Sequence, residues 1–209
     1  MSTGVTANMT APRRLTQQGA MSDAELLEAS YRRPERFGEI YDRYFAEIHA
    51  YLGRRLDQQA ADDLASEVFL TAFRKRETFD AERGEVRPWL YGIATNLIGL
   101  HRRAETRKLA ALRRSSAAGE RPEHGHEERV ISRVDAESEQ ARLAAELGAL
   151  SDGDRDVLLL SALGGLSHDE VATALGIPYG TVGSRLSRVR RKLRAALGGV
   201  NPLSGGNDG

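Results

Sequence analysis

Apolar residues recur at helical spacing along most of the chain, and alternation of β-branched residues is almost absent, so the pattern predicts an all-α fold. Phe37, Ile40, Tyr41, Tyr44, Phe45, Ile48, Tyr51 and Leu52 hold one face over four turns, the mark of a core helix. A turn near Asp57 leads to a second helix over residues 59–76, with Leu64, Val68, Phe69, Ala72 and Phe73 on its apolar face. Upstream, Ser22 and Glu25 form a capping-box pair that opens a short helix at Asp23, ended before Pro34. Met21 stands just before it as a candidate first residue. Residues 79–86 read as a polar connector. A third helix is predicted from Pro88, a residue favoured in the first turn, through Trp89, Ile93, Leu97 and Leu100. That stripe assigns Trp89 to packing. Near Ala136 a helix resumes, carrying Leu143, Leu147 and Leu150, and Ser151 to Asp154 restart the chain into Val157, Leu158 and Leu160.

The most structured stretch runs from Leu166 to Leu197. Ser167 and Glu170 repeat the capping-box spacing, and Val171, Ala172 and Leu175 supply an apolar face. Gly176 suits the left-handed residue that ends a helix, and Pro178 blocks simple continuation. Val182, Leu186, Val189, Leu193 and Leu197 then recur every three or four residues. Two helices joined by so short a turn form a helix-turn-helix. The opposite face of the second carries Thr181, Ser184, Arg185, Ser187, Arg188 and Arg191, with Arg190, Lys192 and Arg194 nearby. Such a helix can enter a major groove, short side chains meeting bases and arginines meeting phosphate. Caps and turn alone fit a helix pair with a solvated basic face equally well. The run from 178 to 197 without Asp or Glu favours DNA.

Charge changes the picture only through its distribution. The 209 residues hold 30 basic and 30 acidic side chains and no cysteine, which excludes disulfides, thiolate zinc sites and Cys nucleophiles. No apolar run approaches the roughly 20 residues that cross a bilayer, and no signal-peptide core precedes the helices, so a soluble, cytoplasmic protein is expected. The second helix begins acidic at Asp62, Asp63 and Glu67 and ends basic at Arg74, Lys75 and Arg76, an order that also suits the helix dipole. The third continues into a second cationic patch: His101, Arg102, Arg103, Arg107, Lys108, Arg113 and Arg114. Residues 115–139 hold seven acids against three arginines among Ser, Gly, Pro and His. Such composition reads as a flexible acidic linker, placed at 115–138. It separates two small helical domains, 22–114 and 139–198, with disordered tails at 1–21 and 199–209. His124 and His126 lack helical ligand spacing, so no metal is expected. No nucleophile–base pair or phosphate loop stands out; neither an enzyme nor a cofactor is expected.

Three stretches resemble one family. Asp62-Asp63-Leu64-Ala65-Ser66-Glu67-Val68-Phe69-Leu70-Thr71-Ala72-Phe73-Arg74 is similar to the core-binding helix in region 2 of extracytoplasmic-function (ECF) sigma factors. Arg87-Pro88-Trp89-Leu90-Tyr91-Gly92-Ile93-Ala94-Thr95-Asn96-Leu97 resembles the next region 2 helix, and residues 150–197 resemble region 4. The resemblance implies a dissociable initiation subunit of bacterial RNA polymerase. Region 4 would read the −35 element in duplex form through Tyr179, Thr181, Ser184, Arg185, Ser187, Arg188 and Arg191, and would meet the polymerase flap. Region 2 would dock on the clamp of the largest subunit through Asp62, Asp63, Ser66, Glu67 and Leu70. It would also hold the melted −10 strand through Asn96, Arg102, Arg103, Arg107 and Lys108. An anti-sigma factor is a further implied partner.

Two positions depart from the pattern. Gly183 stands where relatives often carry Lys or Arg, removing a guanine contact worth about 1–3 kcal/mol and costing the helix about 1 kcal/mol against Ala. The −35 sequence read here is therefore expected to differ from the commonest one, or to be read through DNA shape. Ser66 stands where relatives commonly have Gln. The first rival reading is a helix-turn-helix repressor or activator that acts without replacing a sigma subunit, usually as a dimer on a palindrome. The second, an enzyme or RNA-processing factor, finds no constellation to support it.

Overall fold

The computed structural model describes residues 21–82, 84–116 and 143–196, and every regular element among them is helical. Residues 1–20, 117–142 and 197–209, which hold most of the predicted linker and tails, His124, His126, the helix start predicted near Ala136 and Leu197 of the predicted last stripe, lie outside the described residues. Ser115 and Ser116, the first residues of the predicted linker, belong to the end of α4, and Met21 directly precedes α1. In order the helices are α1 (Asp23–Arg32), α2 (Phe37–Gly53), α3 (Gln58–Lys75), α4 (Val86–Ser116), a stretch at 143–148 (α5), α6 (Asp152–Ala162), α7 (His168–Leu175) and α8 (Tyr179–Ala196).

Local chemistry accounts for most of the boundaries. Ser22 closes a capping box with Glu25, its backbone N–H donating to Glu25 Oε2 at 2.7 Å, and Ser167 does the same with Glu170. Asp57 caps α3 by accepting from the Ala60 N–H at 2.9 Å, and the Ser151 hydroxyl accepts from Asp154 N–H at the start of α6. Gly176 ends α7 at φ 62°, the left-handed conformation that glycine adopts without strain.

In the N-terminal module α2, α3 and α4 pack on one another, with α1 across one end. Leu26, Leu27, Ile40, Ile48, Leu52, Ala61, Ala65, Val68 and Ala72 are buried. In the C-terminal module α6, α7 and α8 form a three-helix unit, and a small cluster of Leu150, Leu158, Val189 and Leu193 ties α8 to the chain around α5. The larger apolar cluster does not stop at the module boundary. It runs from Leu26 through Leu90, Tyr91 and Ala94 to Val157, Leu160, Val171, Val182 and Leu186. The seam is α7 against α4.

That seam corrects the sequence reading of the third helix. It begins at Val86, two residues before Pro88, and Val86 is 1% exposed. Its buried positions include Pro88, Leu90, Tyr91, Gly92, Ile93, Ala94, Thr95 and Ile98 besides Val86, whereas Leu100 is 54% exposed. A single stripe predicts one covered side; α4 is clasped by α2 and α3 on one side and α7 on the other, so nearly its whole first half is buried. Phe79, assigned to a polar connector, packs against Trp89 with ring centroids 5.2 Å apart. Trp89 itself is half-buried against the core, in the packing role its spacing indicated.

Candidate nucleic-acid and polymerase interfaces

Three surfaces collect the residues singled out by sequence. The first is the outer face of α3. Asp62, Asp63, Ser66, Glu67 and Leu70 are all exposed there, because Ala61, Ala65, Val68, Phe69 and Ala72 take the inner positions. Asp62 is partly engaged, its Oδ1 lying 2.5 Å from His49 Nε2 and accepting from Gln58 Nε2 at 2.9 Å. Ser66 turns its hydroxyl back to the Asp62 carbonyl at 3.3 Å. The remaining acids project away from the core, an arrangement suited to meeting a basic partner.

The second surface is a cleft of about 800 Å³ beside α4. Asn96, Arg102, Arg103 and Arg107 line it together, whereas Lys108 is exposed outside the lining. Asn96 also lines a second cleft, with Trp89, Thr173 and Ala174, on the other side of the helix. Arg102 is half-buried, one guanidinium nitrogen 3.5 Å from the Arg55 carbonyl. Burial first, and then repulsion from Arg55 and Arg155, pull its pKa down.

Arg55 is a member of this cleft that sequence reading missed. Its side chain is 1% exposed, donates to Tyr51 Oη at 2.5 Å and to Asp156 Oδ1 at 2.6 Å, and stacks over the Tyr51 ring. The one available signal was its position four residues after an aromatic in the α2 stripe. The opposite wall, Asp152, Arg155 and Asp156, comes from α6 and was not foreseen.

The third surface is the outer face of α8. With Val182, Leu186, Val189 and Leu193 inward, Ser184, Ser187 and Arg191 point outward. Ser187 and Arg191 share a shallow depression with Arg190 and Arg194. Tyr179 is exposed at the helix start, its ring 5.9 Å from His168. Thr181 is half-buried, and its carbonyl accepts from the Ser184 hydroxyl at 3.0 Å. Two arginines are held by the scaffold instead of standing free. Arg185 donates to the Gly153 carbonyl at 3.2 Å, and Arg188 donates to both carboxylate oxygens of buried Asp154, at 3.0 and 3.3 Å. A Cβ added at Gly183 meets nothing within 4 Å, so packing does not require glycine there.

Among the described residues no cluster of His, Asp and Glu could hold a metal, and no helix is long and apolar enough to cross a membrane.

Comparison with known proteins agrees with this division. Residues 40–108 match the family Sigma-70 region 2, and residues 140–193 match Sigma-70, region 4. The RNA polymerase sigma factor CnrH of Cupriavidus metallidurans is 31% identical over 170 residues, spanning 77% of this chain and 86% of that one. The ECF RNA polymerase sigma factor SigK of Mycolicibacterium vanbaalenii is 30% identical over 189 residues, 88% of this chain and 93% of its own. Among solved structures, CnrH in complex with the cytosolic domain of CnrY superposes with a TM-score of 0.56 at 26% identity, covering 84% of this chain and 97% of that chain. The sigma factor RpoE from Bartonella quintana, solved with the anti-sigma factor NepR, shares the fold at a TM-score of 0.54 and 21% identity over 78% of this chain and 98% of its own. The chain belongs to the sigma-70 family of RNA polymerase sigma factors and is of the ECF type. It is an alternative sigma factor, and a regulator acting without replacing a sigma subunit is disfavoured.

Proposed function

We propose that this chain works as two modules, residues 22–114 and 139–198, which lend core RNA polymerase its promoter specificity in the cytoplasm without chemistry of their own. The observation that carries the reading is the appearance, in family order, of an acidic exposed face, a cationic cleft and a cationic groove-reading helix on one chain. Asp62, Asp63, Ser66, Glu67 and Leu70 on α3 dock on the basic clamp of the largest subunit, where complementary charge speeds encounter. The C-terminal module meets the flap. Asn96 pairs with an extruded −10 base, offsetting lost stacking with hydrogen bonds to the base edge. Arg102, Arg103, Arg107 and Lys108 hold phosphates, giving affinity with strong salt dependence and little sequence information. On α8, Tyr179, Thr181, Ser184 and Ser187 approach −35 base edges, and Arg185, Arg188 and Arg191 meet the backbone. Separated strands gain contacts that paired ones cannot make, so opening is favoured by differential binding. An anti-sigma factor belongs among the partners, a reading supported by the complex of CnrH with the cytosolic domain of CnrY.

Run-off transcription with core polymerase on promoter fragments tests the reading. Transcripts are expected only when the chain is added. Reversing charge with Asp63→Arg and Glu67→Arg together should weaken association with core by about tenfold or more, a loss of about 1.4 kcal/mol. No transcript, or undiminished association, would overturn it.

A further inference from the structure

Asn96 lines two clefts, and the smaller, of about 320 Å³, is walled by the chain that leaves α3. Lys75, Thr78, Phe79 and Asp80 line it together with Trp89 and Asn96. The wall is a tight turn at Arg76–Thr78 followed by irregular chain. The Arg76 carbonyl accepts from the Phe79 N–H at 3.2 Å, the Thr78 hydroxyl donates to the Lys75 carbonyl at 2.7 Å, and the Glu82 N–H donates to Asp80 Oδ1 at 3.0 Å. The Arg76 guanidinium folds back over the Phe73 ring, 4.0 Å from its centroid, and donates to the Phe73 carbonyl. These bonds join near neighbours, so they shape the wall without fixing its place against Asn96. A fixture comes from α1. Tyr31, near the end of that helix, donates its hydroxyl to the Arg76 carbonyl at 2.9 Å, across 45 positions of sequence. The bond does little for α1 itself. Leu26 and Leu27 are fully buried, a capping box closes the helix start, and Asp23 accepts from both Arg43 and Tyr44 of α2. Tyr31, by contrast, is 37% exposed. One end of α1 is thus anchored on α2, and the other holds out a hydroxyl to the turn.

We propose that α1 braces the wall of this cleft and that Tyr31 is a positioning residue for promoter reading. Its hydroxyl sets the turn at Arg76–Thr78, and through it Thr78 and Phe79, against a base taken up beside Asn96. The proposal rests on the reading of Asn96 as the partner of an extruded −10 base. Such a base is told from others by hydrogen bonds to its edge and by stacking. Discrimination of that kind requires supporting side chains held to about 0.5 Å. Phosphate contacts tolerate more, because charge attraction falls off slowly with distance. Arg102, Arg103 and Arg107 line the larger cleft and not this one. Loosening the wall therefore costs selectivity and spares strand affinity, whereas a general loss of folding lowers both.

The test uses the full chain with core polymerase. Tyr31→Phe removes the hydroxyl alone, and Tyr41→Phe makes the same change at another exposed tyrosine, on α2. Promoter fragments randomised over the −10 element are selected by each holoenzyme, and base preference is read position by position by sequencing. Binding of a fluorescein-labelled strand of about 15 nucleotides and random sequence, the span of one single-strand site, is read by anisotropy. Melting temperature is followed by circular dichroism of the free chain. Tyr31→Phe should lower the preference at one or more −10 positions about three- to tenfold, the weight of one hydrogen bond. Strand binding and melting temperature should keep their wild-type values, and Tyr41→Phe should match the wild type throughout. An undiminished preference overturns the brace, as does an equal loss in Tyr41→Phe. A loss of preference joined to weaker strand binding and a lower melting temperature also overturns it, because a purely structural role moves all three. Asn96→Ala separates the two readings. A preference flattened by Asn96→Ala but not by Tyr31→Phe removes the brace and leaves the base contact. A preference that survives Asn96→Ala removes the base contact, and the brace with it.

Discussion

Arg188 shows how a residue read as a DNA contact acquires a second duty once the fold is known. Its partner Asp154 is 2% exposed and sits in the first turn of α6, where a negative charge is favoured by the helix dipole. Removing Arg188 leaves that buried carboxylate short of its strongest donor, a change that costs about 1–3 kcal/mol. Arg191, one turn on, is exposed and makes no such bridge among the described residues. Two outcomes follow for promoter binding measured against salt. Arg191→Ala should reduce the slope of log K against log salt by about 1 with no loss of thermal stability. Arg188→Ala should both flatten the slope and lower the melting temperature. A lowered melting temperature with an unchanged slope would make Arg188 a strut between α6 and α8 and remove it from the phosphate contacts. Nothing in the sequence distinguished these arginines, because both lie off the apolar stripe and only the position of α6 separates them.

At the scale of single elements the sequence was most informative where chemistry is local. The capping boxes of α1 and α7, the left-handed Gly176 and the α8 stripe each depend on residues within one or two turns, and each is found where its pattern indicated. Glu170 carries a testable consequence. Partial burial opposes its charge, but the Ser167 backbone N–H and hydroxyl, and then Arg87, outweigh burial and hold its pKa below the ordinary value. A carboxyl whose pKa is lowered by folding stabilises the folded chain above its unfolded value, and that contribution disappears as pH falls through the folded one. Glu170→Gln should therefore be less stable than the wild type in urea unfolding at neutral pH, and the gap should close in acid below the usual carboxylate range. A gap that persisted there would assign the loss to the shape of the cap instead of its charge. Where local pattern failed, at the start and the buried face of α4, the cause was a partner helix more than seventy residues away in the chain.

For the whole molecule, the all-α class and the two modules could be read from periodicity and from the acidic stretch between them, but the relation of the modules could not. It depends on pairings such as Arg87 with Gly164 and Glu170, and Gly92 against Ala174, which no spacing rule connects. Modules with separate cores unfold independently, whereas an apolar cluster running through both couples them into one transition. Calorimetry of the free chain should accordingly show a single unfolding step with equal calorimetric and van't Hoff enthalpies. Arg87 is the sharpest probe of that coupling, since its guanidinium binds both modules and also stacks over the Tyr91 ring, whose hydroxyl donates to Glu47 at 2.9 Å. Arg87→Ala strips a shared donor from Glu47, Gly164 and Glu170 at once. Each module keeps its remaining apolar contacts, so the expected result is not collapse but decoupling: about 1–3 kcal/mol lost from the contact, and a transition that broadens or divides into two. Two steps in the wild type would mean that the shared cluster contributes too little to bind the modules, and that burial along α4 is a local matter of the N-terminal module alone.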